Sequence, residues 1–200
     1  MRTLFLSFIL IFLPVSHAVA EIETTLSVAK NPHQNGQSLY KICTTSSATA
    51  ERLMKIPSGL MQAVAIAESG RWDHHQTRNS PWPWTVMAQN RGRYFTTKSE
   101  AISAVKQLLR QGITNIDVGC MQINLGYHGA AFDSLDQAFD PVHNIAYAAN
   151  FLRKLKQRKE SWAQAVGTYH SPNPKRALRY RQKVYRIWKT LRHKNLIQSN

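Results

Sequence analysis

Apolar residues recur at helical spacing along most of the chain, and few segments show the strict alternation of a strand. Thr97 and Glu100 are the ends of a capping box, and Gly112 stands where the apolar pattern behind it stops. Asp140 followed by Pro141 indicates another helix start, because aspartate accepts hydrogen bonds from free backbone N–H groups and proline fits the first helical position. These signals predict a mainly α domain of about six or seven helices.

Two segments depart from the helical pattern. Residues 21–38 contain turn-forming residues without a clear period, which predicts an extended leader in front of a single domain at residues 39–195. Residues 79–93 contain two prolines, a glycine and the pair Trp82 and Trp84, and this composition predicts a loop. The sequence assigns no role to the two tryptophans.

The first twenty residues have the three parts of a secretory signal peptide. Arg2 supplies a positive charge, Leu4–Val15 is an apolar run, and residues 18–20 read Ala-Val-Ala, a typical cleavage site. A membrane-spanning helix needs roughly 20 apolar residues, so the run is too short to favour the alternative of a membrane anchor. We therefore expect residues 1–20 to be removed after Ala20 and the mature protein to be exported to the periplasm.

Basic residues outnumber acidic ones by 26 to 11, so the chain has a formal net charge of +15. Such an excess favours an anionic partner, which can be nucleic acid, an acidic membrane surface or an anionic polymer. Export and the absence of a recognised nucleic-acid motif argue against nucleic acid. Residues 171–200 hold nine of the basic residues and no acid, so the predicted C-terminal helix is the candidate for binding an anionic wall or membrane surface.

Export also makes the two cysteines interpretable. Cys43 and Cys120 are an even pair in an oxidising compartment, which predicts one disulfide, with two buried free thiols as the alternative. The eight histidines form no His-Glu-x-x-His motif, so the sequence predicts neither a metal site nor a cofactor.

One carboxylate lies on an apolar helix face. Leu60, Met61 and Val64 precede Glu68 by eight, seven and four residues, which places all four side chains on one side of a helix. Burial and the negative end of the helix dipole both raise the pKa of a carboxyl group, and a glutamic acid that stays protonated near neutral pH is a competent general acid. The alternative is a Glu68 that reaches solvent or pairs with Arg71.

Four segments in this order resemble the motifs of the lytic transglycosylases, in the branch of the lysozyme superfamily that contains the soluble lytic transglycosylases and goose-type lysozyme. They are Ile56–Trp72, Gly119–Asn124, Asp140–Leu155 and Ala165–His170. The resemblance covers roughly residues 40–190 and implies a single lysozyme-like domain. Residues 81–85 and 116–124 resemble an exported proteobacterial subgroup and the transglycosylases of secretion systems, so secretion-system machinery is a candidate partner.

The resemblance implies cleavage of the β-1,4 bond between N-acetylmuramic acid and N-acetylglucosamine in peptidoglycan strands, with a 1,6-anhydro product. Glu68 matches the single catalytic acid/base, and Tyr169 matches the tyrosine whose hydroxyl orients it. The substrate-binding residues implied by the match are Ser69, Met121, Gln122, Asn124 and Tyr169. A hydrolytic muramidase and a non-catalytic peptidoglycan-binding module are the alternatives, and endo and exo cleavage stay equally open.

Two positions depart from the family pattern. Cys120 stands where leucine is usual, which fits a disulfide to Cys43 that braces the catalytic helix, and His170 stands where asparagine is usual, which leaves its role open. Asp73 lies just past the helix of Glu68, Asp117 lies just before the Gly-Cys-Met-Gln segment, and either could be the second carboxylate of a hydrolysing enzyme. Loop capping is the interpretation that the sequence favours for both.

Overall fold

The computed structural model describes residues 36–74 and 77–198. The predicted signal peptide and residues 21–35 of the predicted leader lie outside this part of the chain. The first described helix already begins at Gly36, three residues before the predicted start of the domain.

Helices make up most of the described residues, which confirms the mainly α prediction. The eight α-helices in this part of the chain are α1 (Gly36–Met54), α2 (Leu60–Ser69), α3 (Lys98–Arg110), α4 (Leu125–His128), α5 (Leu135–Phe139), α6 (Pro141–Arg158), α7 (Trp162–His170) and α8 (Pro174–Gln198). The number exceeds six or seven because α4 and α5 have only four and five residues, too few for an apolar period to appear.

Six short strands form two antiparallel sheets. They are β1 (Gly70–Asp73), β2 (Arg78–Pro81), β3 (Thr85–Ala88), β4 (Arg91–Tyr94), β5 (Ile116–Val118) and β6 (Ile123–Asn124). Strands β1 and β2 pair with each other, and the larger sheet has the order β4-β3-β5-β6. The prediction of a loop at residues 79–93 was wrong, because β2, β3 and β4 lie almost entirely within it. Strands of four residues among prolines and glycines carry too little alternation to be detected.

The predicted helix caps are confirmed. The Thr97 side chain accepts a hydrogen bond from the Glu100 N–H, and the Glu100 carboxylate accepts one from the Thr97 N–H, each at 3.2 Å. Asp140 precedes Pro141 and caps α6, because its carboxylate accepts hydrogen bonds from the N–H groups of Val142 and His143. These local hydrogen bonds fix where the helices begin.

Helix α2 is the centre of the larger hydrophobic core. Five of its residues are fully buried: Leu60, Met61, Ala63, Val64 and Ala65. Helices α1, α6, α7 and α8 surround it, while a smaller core lies between the four-stranded sheet, α3 and α5. The C-terminal end of α2 runs directly into β1, so it meets the β-rich part of the chain.

A carboxylate from another helix caps the start of α2. Glu51 of α1 is 5% exposed, and its two oxygens accept hydrogen bonds from the N–H groups of Gly59 at 2.7 Å and Gln62 at 3.1 Å. Gly59 has a φ of 78°, a conformation that glycine adopts more readily than other residues. Because a negative charge at a helix N-terminus is stabilising, Glu51 fixes the position of α2 against α1.

The disulfide between Cys43 and Cys120 is present, as predicted, with the two Cα atoms 5.9 Å apart. It joins α1, not the helix that carries Glu68, to the turn between β5 and β6, so the expectation that it braces the catalytic helix itself was wrong. No helix among residues 36–74 and 77–198 combines the length and the apolar character that crossing a membrane requires.

The two tryptophans that the sequence left without a role belong to the framework of the β-rich part. Trp82 is 5% exposed, and its Nε1–H donates to the carbonyl oxygen of Phe95 at 2.7 Å. Trp84 packs edge-on against it, with ring centroids 6.0 Å apart. The guanidinium of Arg71 lies over the Trp82 ring at 4.6 Å, so this arginine connects β1 to the tryptophan pair.

Candidate active site

Glu68 is the penultimate residue of α2 and is partly buried. Its Oε1 accepts a hydrogen bond of 2.5 Å from the hydroxyl of Tyr180 on α8. The alternative in which Glu68 pairs with Arg71 is not observed, since the Arg71 guanidinium stacks on Trp82. The apolar-face prediction for Glu68 is confirmed by the buried residues that precede it on the same face.

The environment of Glu68 raises the pKa of its carboxyl group to near neutral pH. Burial raises the pKa of Glu68 from the ordinary value of 4.5 to about 7. The hydrogen bond from Tyr180 and the charge of Lys183 lower this pKa, and the charge of Asp117 raises it, but burial outweighs them. At neutral pH both the acid and the carboxylate are therefore populated, which suits a group that must donate a proton and later accept one.

Helix α8 supplies the two groups that act on Glu68 from one side. Tyr180 is 7% exposed, and the Lys183 Nζ donates to the carbonyl oxygen of Ala67 at 2.6 Å. A cation at the C-terminal end of a helix is favourable, because it satisfies a free carbonyl group and opposes the dipole. The sequence predicted neither residue for the site, and the available signal was a tyrosine in the apolar stripe of a strongly basic helix.

His170 at the end of α7 supports Tyr180. The two rings are stacked, with their centroids 4.5 Å apart and an angle of 7° between their planes. Burial lowers the pKa of His170, and the charges of Lys183 and Arg176 lower it further, while that of Asp117 raises it. The position that the family resemblance left open is thus in contact with the tyrosine that binds Glu68.

The turn between β5 and β6 lies beside the end of α2 and is held by a buried asparagine. Asn144 of α6 is fully buried, accepts a hydrogen bond from the Met121 N–H at 2.9 Å, and donates to the carbonyls of Val118 and Ala138. A Cβ atom at Gly119 would lie 2.4 Å from the Asn144 amide nitrogen, so only glycine fits there. Asn144 thus joins helices α5 and α6 to the end of β5 and the turn that follows it.

Ser69 also holds this turn in place. Its side chain is fully buried, and its hydroxyl oxygen lies 2.7 Å from the carbonyl oxygen of Cys120 and 3.2 Å from that of Ala65. Its hydroxyl is thus engaged with the backbone, and substrate binding by Ser69 stays a prediction. Met121 is likewise fully buried, and its predicted contact with substrate stays a prediction.

Gln122 and Asn124 are partly buried and are engaged within the protein. The Gln122 amide donates to the carbonyls of Thr85 at 3.1 Å and Gly119 at 3.0 Å. The Asn124 amide donates to Asp117 at 2.7 Å and to Asn115 at 2.6 Å. Substrate binding by Gln122 and Asn124 stays a prediction.

Tyr169 does not make the predicted hydrogen bond to Glu68. Its hydroxyl donates to the carbonyl oxygen of Met121 at 2.9 Å, and Tyr180 occupies the donor position on Glu68. Tyr169 is still close enough for the charge of Glu68 to contribute to raising its pKa, after the larger effect of burial. The family match predicted Tyr169 of α7 as the donor to Glu68, whereas the donor is Tyr180 of the neighbouring helix α8.

A line of aromatic rings leads away from Tyr169 to the surface. Phe151 lies 5.7 Å from Tyr169, His128 lies 5.2 Å from Phe151, and Tyr127 lies 6.5 Å from His128, measured between ring centroids. The Tyr147 hydroxyl is 2.9 Å from the His128 Nδ1, and Tyr127 is 84% exposed. Aromatic faces of this kind are suited to packing against apolar faces of a ligand.

A groove of about 460 Å³ opens beside Glu68. Its walls are the end of α2, one face of α8, strand β2 and Tyr94. The lining residues are Ile66, Ala67, Glu68, Gly70, Arg78, Asn79, Tyr94, Lys183, Ile187, Thr190 and Leu191. Glu68 is thus accessible from a site large enough for part of a polymer chain.

The described part of the chain contains no group of three or more His, Cys, Asp or Glu side chains able to hold a metal ion. Acid/base chemistry by Glu68 is what the arrangement offers. A mainly α domain with a buried helix that ends in an accessible glutamate is consistent with a lysozyme-like protein.

The family model of the transglycosylase SLT domain matches residues 45–186. The chain belongs to this family, and the family implies peptidoglycan as its substrate. No curated protein and no solved structure matches the chain significantly.

Proposed function

We propose that the protein is a peptidoglycan lytic transglycosylase in which Glu68 is the single general acid/base. The observation that carries the proposal is the position of Glu68 at the end of a buried helix, beside an open groove, with its pKa raised to about 7. Membership of the transglycosylase SLT family supports the substrate class.

In the first step, the protonated Glu68 gives its proton to the oxygen of the glycosidic bond between muramic acid and glucosamine. The bond between the muramoyl C1 and that oxygen breaks, and positive charge develops at C1. In the second step, the Glu68 carboxylate takes the proton from the C6 hydroxyl as the oxygen bonds to C1. The product is a 1,6-anhydro ring, and Glu68 regains its proton without water being consumed.

The neighbours of Glu68 support both halves of this cycle. Burial favours the protonated form needed in the first step, whereas Tyr180 and Lys183 stabilise the carboxylate that exists between the steps. When the protonated and ionised forms of a group are close in free energy, neither proton transfer has a large free-energy cost.

Hydrolysis is the second candidate reaction, and the position of Asp117 favours it. The charge of Asp117 acts on Glu68, and its carboxylate is held by the Asn124 amide at 2.7 Å. Burial raises the pKa of Asp117, with the Asn124 hydrogen bond and His170 acting against it. A second carboxylate near the first can activate water in an inverting glycosidase.

The experiment is product analysis on purified sacculi, with wild-type protein and the variants Glu68→Gln, Glu160→Gln and Asp117→Asn. The proposal requires anhydro ends from wild type and from Glu160→Gln, whose exposed glutamate lies outside the site, and no turnover by Glu68→Gln with its helical circular-dichroism signal intact. Active Glu68→Gln protein would contradict the role of Glu68. Reducing ends that disappear with Asp117→Asn would establish hydrolysis, and binding without turnover would establish the non-catalytic module.

We also propose that the protein acts in the periplasm after cleavage behind Ala20, on the basis of its N-terminal sequence. N-terminal sequencing of protein recovered from the periplasmic fraction should begin at Glu21. Recovery of uncleaved protein in the membrane fraction would favour the anchor instead.

A further inference from the structure

The groove beside Glu68 extends along helix α8. Four of its lining residues, Lys183, Ile187, Thr190 and Leu191, follow one another at helical spacing over eight positions. Since a helix rises about 1.5 Å per residue, this wall is about 12 Å long. The groove therefore has room for more than the sugar whose bond is broken.

The groove has an excess of positive charge, which a neutral sugar chain would not require. Two cations, Lys183 and Arg78, line it, and Glu68 is the only acid among its lining residues. Even with Glu68 ionised the lining therefore has more positive than negative charge. Lys183 donates to the Ala67 carbonyl, whereas Arg78 is exposed on strand β2, which forms another part of the wall.

Peptidoglycan has an anionic group that such a groove fits. The sugars are uncharged, but each stem peptide is attached to the muramoyl residue and carries carboxylates. The muramoyl residue is also the one whose bond is cleaved, so its peptide must leave the site within reach of Glu68. The apolar side chains of Ile187 and Leu191 offer contacts for aliphatic parts of a peptide.

We propose that this groove binds the stem peptide of the muramoyl residue at the cleavage site, and that Arg78 pairs with a peptide carboxylate. The proposal rests on the proposed function, because it assumes that the bond beside Glu68 belongs to a peptidoglycan strand. It makes Arg78 a residue that sets specificity for peptide-bearing over bare strands.

The test compares glycan strands that carry stem peptides with the same strands stripped by an amidase. The readout is the ratio of kcat/KM on the two substrates, for wild type, Arg78→Gln, Arg78→Lys and Arg110→Gln. Arg110 is an exposed arginine on α3 outside the groove, so its variant removes the same charge from another place.

We expect Arg78→Gln to lower the ratio by about fivefold, the upper range for an ion pair at an exposed site, and Arg78→Lys to restore most of it. Arg110→Gln should keep the wild-type ratio, and the effect of Arg78→Gln should weaken in high salt. An Arg78→Gln ratio equal to that of Arg110→Gln would overturn the proposal.

A binding measurement separates this proposal from the proposed reaction. In the Glu68→Gln background, the affinity for peptide-bearing and stripped strands is measured with and without Arg78→Gln. A preference for peptide-bearing strands that disappears with Arg78→Gln supports the groove assignment even if wild type shows no turnover. Equal affinities for both strands, with an active wild type, would reject the groove assignment and leave the proposed reaction intact.

Discussion

Ionisation of the buried Glu68 should lower the stability of the folded protein as pH rises, and Glu68→Gln should remove this pH dependence. The glutamine has nearly the same shape, and its carbonyl oxygen can still accept the hydrogen bond from Tyr180. It differs in having no charge to bury. The stability difference between the two proteins therefore isolates the free energy of ionising Glu68 inside the protein.

The magnitude follows from the pKa. In the unfolded chain Glu68 has the ordinary value of 4.5, and in the folded protein its pKa is about 7. Between these values the folded state holds a proton that the unfolded chain has released, so raising the pH favours unfolding. One pKa unit corresponds to about 1.4 kcal/mol, so the wild type should lose about 3 kcal/mol relative to Glu68→Gln between pH 4.5 and 7.

Urea denaturation at a series of pH values from 4 to 8.5 measures this difference, with the disulfide kept oxidised. Other carboxylates and histidines titrate in both proteins and cancel in the comparison. The advantage of Glu68→Gln should be smallest below pH 4.5, grow through the window and become constant above pH 7 to 8. A difference that does not change with pH would refute the reasoning, because it would mean that the folded protein does not perturb the ionisation of Glu68.

Other changes have equally direct readouts. If protonated Glu68 starts the reaction, kcat/KM should fall above pH 7. Tyr180→Phe should move this fall to higher pH, because it removes a hydrogen bond that lowers the pKa of Glu68. A pH profile that does not move would contradict the role of Tyr180. Replacing Cys43 and Cys120 by alanine should lower the free energy of unfolding by about 4 kcal/mol, given their sequence separation of 77. Wild-type protein in reductant should show the same loss in urea denaturation. Glu51→Gln should lower it by about 1 to 2 kcal/mol, since a buried helix cap loses its charge, and an unchanged urea midpoint would show that the cap contributes nothing.

The parts of the fold that the sequence predicted correctly depend on neighbours close in the chain. The capping box at Thr97 and Glu100 and the cap at Asp140 are formed by residues two or three apart. Glu68 was identified in the same way, from apolar residues within eight positions of it. Local spacing fixes which face of a helix a side chain occupies, whatever packs against that face.

The parts that the sequence did not predict depend on packing between distant segments. Tyr180 is 112 residues from Glu68, and no local pattern distinguishes it from Tyr169, the family match in the neighbouring helix. Ser69 hydrogen-bonds a carbonyl 51 residues away, a contact that no local pattern indicates. The family motif marks such residues as belonging to the site without distinguishing those that hold its framework from those that face the ligand.

Helix α8 connects the basic charge of the chain to its site. The sequence suggested that this helix binds an anionic wall or membrane surface, and its arginines and lysines at 179, 186 and 189 are indeed exposed. Its other side binds both ends of α2, because the Trp188 Nε1–H donates to the Ser58 carbonyl at 2.8 Å while Tyr180 binds Glu68. Deleting α8 would remove the partner of Glu68 together with the positive surface, so a loss of activity in a truncated protein would not identify which was needed. Substitution of the exposed basic residues alone separates the two roles, since these side chains lie away from the face that holds α2.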